Sequence, residues 1–256
     1  MNNQNSKRLF FGSCFALITT AFSFSIRAGI LPQLGETFSL TATQLGFINQ
    51  MFFIGFPISM VLGGIFYTSI GPKRIMMFAF FAHTAGIILT IYSGGYIGLL
   101  VSTLLLGIGN GCTEAACNPM IASAYSGKLM NSLLNRFHMW FPGGIVLGSL
   151  ISLFMTKQGW GWETQIWVIM IPTVIYAILF WGQRFPEPRK ENESLVANLR
   201  GMTSWLFLFI CICMTLTAIS EFGPTQWASL ILAKSGAEPM VILALITGLM
   251  AVGRYF

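Results

Sequence analysis

Eight stretches of mostly apolar residues follow one another along this chain, the last running to Phe256. Crossing the hydrocarbon core of a bilayer as a helix takes about 20 such residues. Only 9% of the residues are charged and 23 are Phe, against about a quarter charged in a soluble domain. The expected fold class is therefore all-α, a polytopic membrane protein embedded in a lipid bilayer.

The spans are expected at residues 9–26 (continuing past Arg27 towards Pro32), 45–69, 75–92, 96–125, 137–155, 166–181, 205–232 and from 241 to the chain end. Residues 1–8 end in Lys7 and Arg8, and the first span is too long for a signal peptide and is followed by more. Lys7, Arg8, Lys73, Arg74, Lys128, Arg136, Arg184, Arg189, Lys190 and Arg200 fall in connections on one side, and only Lys157 and Lys234 on the other. The positive-inside rule makes the first side cytoplasmic, and with it the N-terminus. The net charge of +6 is thus topology, and no nucleic acid partner is expected. Cys14, Cys112, Cys117, Cys211 and Cys213 all lie in apolar runs and read as buried free thiols. With only His83 and His138 beside them, no metal site is expected, nor any cofactor.

Within the fourth span the run from Gly107 to Met120 carries Glu114, an acid whose nearest charged neighbours in sequence are Arg74 and Lys128. Placing an ionisable group at the centre of a bilayer costs about 3 kcal/mol on insertion scales, which makes it a functional candidate by default. Helical spacing sets Asn118 on the same face, with Gly111 and Gly107 along the stripe. Small residues there would let a helix or a ligand approach closely. The alternative is a protonated Glu bonded to a neighbouring helix.

The connection 182–204 holds Pro186, Pro188 and seven charges. It reads as a cytoplasmic linker between an N-terminal six-helix bundle, residues 1–181, and the start of a second bundle, residues 205–256. Many transporters consist of two such repeats. A weak repeat is visible here, Met60 to Phe66 against Met250 to Phe256, with Arg27 and Gly29 opposite Glu221 and Gly223. If the repeat holds, the chain stops two helices into its second half, and a fragment or truncated product of a longer protein is expected.

Several stretches together resemble the major facilitator superfamily, and within it the fucose, galactose and glucose proton symporters. They are Glu114-Ala115-Ala116-Cys117-Asn118-Pro119 in span 4, Ile30-Leu31-Pro32-Gln33 at the outer end of span 1, the opening of span 2 from Gln44 to Gly55, and Asn135 ahead of Gly143 and Gly144. The resemblance implies an incomplete major facilitator fold, with Glu114 binding substrate and exchanging a proton. Two departures stand out. Thr68 occupies the position where many members carry an Asp, and Ala28, preceded by Arg27, the position where the sugar symporters carry an acid.

Other polar residues within spans complete the candidate set. Arg27 lies in the outer half of span 1, placed to pair with Glu114, to hold an anionic substrate, or to reach the outer headgroups. Gln33 belongs to the Ile-Leu-Pro-Gln stretch. Asn131, Asn135, His138 and Pro142 share a stripe of span 5, with His138 a candidate second proton carrier or a structural hydrogen-bonder. In span 7 Glu221 precedes a Gly223-Pro224 break, and Gln226 and Trp227 add an amide and a stacking ring suited to a sugar. His83 is expected to be structural.

The expected function is secondary active transport of a small polar solute, a sugar moved with protons by alternating access. The alternatives are transport or exchange of a small organic anion on Arg27, or a non-transporting membrane sensor of the same fold. An enzyme is not expected, since a nucleophile, base and orienting acid would have to converge and the chain has no Asp. The expected location is the plasma membrane, as a multi-pass, monomeric protein of a bacterial inner membrane.

Overall fold

The computed structural model describes residues 3–187, 200–233, 236 and 238–255, excluding the side chains of residues 3, 221–233, 254 and 255. Eight helices occupy these residues: α1 (Asn3–Thr37), α2 (Ala42–Ile70), α3 (Pro72–Tyr92), α4 (Tyr96–Ala124), α5 (Gly127–Lys157), α6 (Trp162–Phe180), α7 (Trp205–Ala233) and α8 (Pro239–Tyr255). The first six are long and apolar enough to cross a membrane. Helices α1 and α5 outrun their apolar windows by several residues, because once a span has formed, its polar flanks continue the backbone ladder into the interface.

Local chemistry sets the ends. Thr41 and Gln44 form a capping box at the start of α2, the Thr41 hydroxyl accepting the Gln44 N–H and the Gln44 amide oxygen accepting the Thr41 N–H. The turn into α3 pivots on Gly71 at φ 82°, a conformation that strains any residue with a Cβ. Pro72 then opens α3, where its missing N–H costs nothing.

Small residues decide which helices touch and in what direction. A Cβ on Gly107 would lie 2.4 Å from the Phe52 carbonyl oxygen, and one on Gly63 would lie 2.7 Å from Ala115 Cβ. Positions rise together along both chains, so α2 and α4 are a parallel pair with backbones in close approach. Likewise Gly144 meets Ala21, Gly148 meets Ser25 and Ser152 meets Gly29, which makes α1 and α5 parallel. Gly86 against Leu106 and Gly109 against His83 run in opposite order, so α3 and α4 are antiparallel. Where lipid supplies no hydrophobic drive between helices, such approach is what packing offers.

Helix α1 is the most enclosed of the six, packed by α4, α5 and α6. Helix α8 lies on α5, with Leu243 in a cluster with Ala21 and Ile145. Phe78, Phe81, Ile97, Ile171 and Ile178 point outward, as a lipid-facing surface requires.

At Gly107 and Gly111 it is a helix that makes the close approach, the backbone of α2 at Phe52 and Phe56 filling the space beside the glycines. Two expectations are corrected. Helix α7 runs unbroken from Trp205 to Ala233 through Gly223 and Pro224, a proline inside a helix removing one bond without ending the ladder. Cys14, Cys112 and Cys117 are buried free thiols, but Cys211 and Cys213 are exposed on α7. Most of the linker, residues 188–199, lies outside the described residues.

Candidate functional site

Glu114 is half-buried on α4, one helical turn before Asn118. The Asn118 amide donates to Glu114 Oε2 at 2.6 Å and to the Glu114 main-chain oxygen at 3.1 Å. An amide N–H donating to a carboxyl oxygen at this distance is a short bond, so the acid is pinned along the helix. Pro119 follows at once, and lacking an N–H it leaves the Ala115 carbonyl without its ladder bond. The α4 backbone is thereby loosened beside the acid.

Arg27 is 3% exposed, and its Nη2 has no hydrogen-bond partner among the described residues. Its guanidinium carbon stands 5.5 Å from the centre of the Phe52 ring. A desolvated cation–π contact is worth about 2 kcal/mol, less than the several kcal/mol that burying an ion costs. Phe52 is level with Gly107 of α4, and Glu114 lies seven residues further along, roughly 10 Å at ~1.5 Å per residue. The guanidinium and the acid therefore sit at different depths of the bundle. Around Arg27, Phe24 touches the rings of Phe52, Phe53 and Phe141, joining α1, α2 and α5 in one aromatic layer.

The other sequence candidates scatter. Gln33, half-buried near the far end of α1, donates to Thr156 Oγ1 at 3.3 Å. Thr156 also accepts from Gln165, whose amide oxygen takes the Ser152 hydroxyl proton at 2.7 Å. Gln33 thus belongs to a polar network tying α1, α5 and α6 together. Asn131 and Asn135 are exposed in the first turns of α5, His138 is half-buried and Pro142 buried. Glu221, Gln226 and Trp227 lie on α7, with side chains outside the described residues.

His83, expected to be structural, centres a buried cluster whose other two members sequence reasoning did not single out. His83 Nε2 lies 2.9 Å from Asn110 Oδ1, and Nδ1 lies 3.0 Å from the Tyr176 hydroxyl, joining α3, α4 and α6. Because Asn110 Oδ1 only accepts, Nε2 carries the proton and the Tyr176 hydroxyl donates to Nδ1. Asn110 stands one turn before Glu114 in the same polar run, and that i−4 spacing was the available signal.

The Major Facilitator Superfamily model matches residues 13–256. Over 180 residues the chain is 26% identical to the hexuronate transporter of Bacillus subtilis (strain 168), covering 68% of this chain and 40% of that protein. Over 209 residues it is 27% identical to the L-fucose-proton symporter of Escherichia coli (strain K12), covering 71% and 48%. The chain spans about half the length of these curated relatives. Among solved structures, the major facilitator transporter FucP in its outward conformation superposes with a TM-score of 0.72 at 18% identity, over 96% of this chain and 69% of that one. The helix order, the parallel and antiparallel pairings and the family match agree: this chain belongs to the major facilitator superfamily, a family of membrane transporters and not of enzymes.

Proposed function

We propose that the protein is a secondary active transporter of a small polar solute, a sugar, taken up together with protons by alternating access. The observation that carries this reading is Glu114, a membrane-embedded carboxyl whose position is set by the Asn118 amide at 2.6 Å while it remains half-buried. An acid so placed can take a proton when the bundle faces one side and release it when it faces the other. The site would be completed from the second bundle by Glu221, Gln226 and Trp227, with Asn135 and His138 towards the basic end of α5. Residues 1–181 and 205–256 would act as the two rocking units about the linker 182–204. The similarity to an L-fucose-proton symporter supports the reading.

Arg27 Nη2, without a hydrogen-bond partner among the described residues, favours a second reading, in which the solute also carries a carboxylate that this guanidinium receives. The similarity to a hexuronate transporter points the same way. In both readings the protein would be a monomer in a bacterial inner membrane with its basic end cytoplasmic. The test is external pH in vesicles carrying the complete natural protein, after adding a panel of hexoses and hexuronates, for wild type, Glu114→Gln and Arg27→Gln. Alkalinisation by one solute that vanishes in Glu114→Gln is expected. If only hexuronates respond and Arg27→Gln abolishes the response, the second reading replaces the first. Solute entry with no pH change in wild type would refute proton coupling.

A further inference from the structure

A cavity of about 550 Å³ opens sideways between α3 and α6, away from Glu114 and Arg27. Its walls are Met76, Met77, Phe80 and Phe81 from α3 and Tyr176, Ala177 and Phe180 from α6, with Phe185 beyond α6 also lining it, its ring 5.4 Å from that of Phe180. The one hydroxyl in this set, that of Tyr176, is spent inward on His83 at 3.0 Å, so the floor shows only the ring. Nothing in such a lining rewards a polar solute. An apolar chain, by contrast, would exchange lipid contact for close packing.

The mouth differs from the walls. Lys73 is the charged residue that lines this cavity, exposed on its rim at the first turn of α3; Arg74 and Arg184 are exposed at the same end of the bundle, outside the lining. Glu187 is the one carboxylate that the described residues place in that connection. Trp181, 84% exposed at the end of α6, marks the headgroup level, where Trp is enriched. From Lys73 to Phe81 the wall rises eight residues, roughly 12 Å at ~1.5 Å per residue, within the ~15 Å of hydrocarbon that one leaflet supplies.

We infer that this groove is a binding site for an anionic phospholipid, one acyl chain lying between α3 and α6 and the phosphate held at Lys73. The juxtaposition of a cationic rim at headgroup level and a one-leaflet-deep apolar slot selects a lipid over a free anion or a peptide helix. The floor is also connected inward, since Tyr176 bonds His83 and His83 bonds Asn110, one turn from Glu114. An occupant would therefore press on the residue that ties α6 to α3 and, through His83, to α4.

The test is native mass spectrometry of the detergent-solubilised chain with equal additions of phosphatidylglycerol and phosphatidylcholine. One phosphatidylglycerol is expected to be retained preferentially. Lys73→Gln should cut that preference about five-fold, the effect of one cation at an anionic headgroup, while leaving chain binding in place. Ala177→Trp, which fills the slot from α6, should abolish retention of both lipids. Met77→Trp fills it from a position 51% exposed, where folding is insensitive to the change, and serves if Ala177→Trp does not fold. Equal retention of the two lipids by wild type would overturn the inference. So would a preference that survives the groove-filling variants, since the lipid would then sit elsewhere.

Discussion

Replacing Gly107 by Ala tests whether helix contact in this bundle rests on backbone approach. The added Cβ would lie 2.4 Å from the Phe52 carbonyl oxygen and 3.1 Å from two further Phe52 backbone atoms. Ordinary contact begins at 3.4 Å, so α2 and α4 must part by the difference, about 1 Å, and no side chain can rotate away to relieve it. The same movement would loosen Gly55 against Leu104 and Gly111 against Phe56, because all three contacts lie along one pair of helices. Overpacking of this kind costs about 1–3 kcal/mol. Gly64→Ala is the control: it lies on α2, the partner helix of this contact, with nothing within 4 Å of the built Cβ. Both variants gain the same helix propensity, about 1 kcal/mol, which cancels in their difference. Thermal unfolding in one detergent should place Gly107→Ala below Gly64→Ala by about 2–4 °C for each kcal/mol. Equal melting temperatures, or a more stable Gly107→Ala, would refute the reasoning.

Two further outcomes are expected. His83→Ala leaves the Tyr176 hydroxyl and the Asn110 amide oxygen without these partners in a buried site, an unsatisfied-group penalty of about 1–3 kcal/mol for each; the melting temperature should fall, and a fall no larger than that of a surface substitution would contradict a bonding role. Maleimide labelling of the folded chain in detergent, followed by mass, should modify the exposed Cys211 and Cys213 before the buried Cys14, Cys112 and Cys117, with equal labelling of all five refuting that burial pattern.

What could be read from the sequence follows its physics. A span announces itself by length and apolarity, so six membrane-length helices and the unbroken α4 around Glu114 were legible. Helix ends were less so, because the flanks of α1 and α5 are polar and continue the helix without an apolar signal. Periodicity placed Gly107 and Gly111 on a stripe but could not say which neighbour would close over it; the answer was α2. The rule that a proline breaks a helix failed at Pro224, where the ladder continues around it. Asn110 was overlooked because its meaning depends on His83, distant in sequence and brought within 2.9 Å only by the antiparallel packing of α3 and α4. The separate depths of Arg27 and Glu114 were hidden for the same reason, since depth along a bundle follows from how the helices are set against one another.

The central claim, that Glu114 ties solute movement to protons, is tested most directly by the transient current recorded from proteoliposomes on a solid-supported membrane when a neutral hexose is added. A neutral sugar entering with one proton carries one positive charge. The account predicts an inward positive current for wild type and none for Glu114→Gln, with that variant still exchanging labelled sugar across the membrane. A current of undiminished size in Glu114→Gln would contradict it.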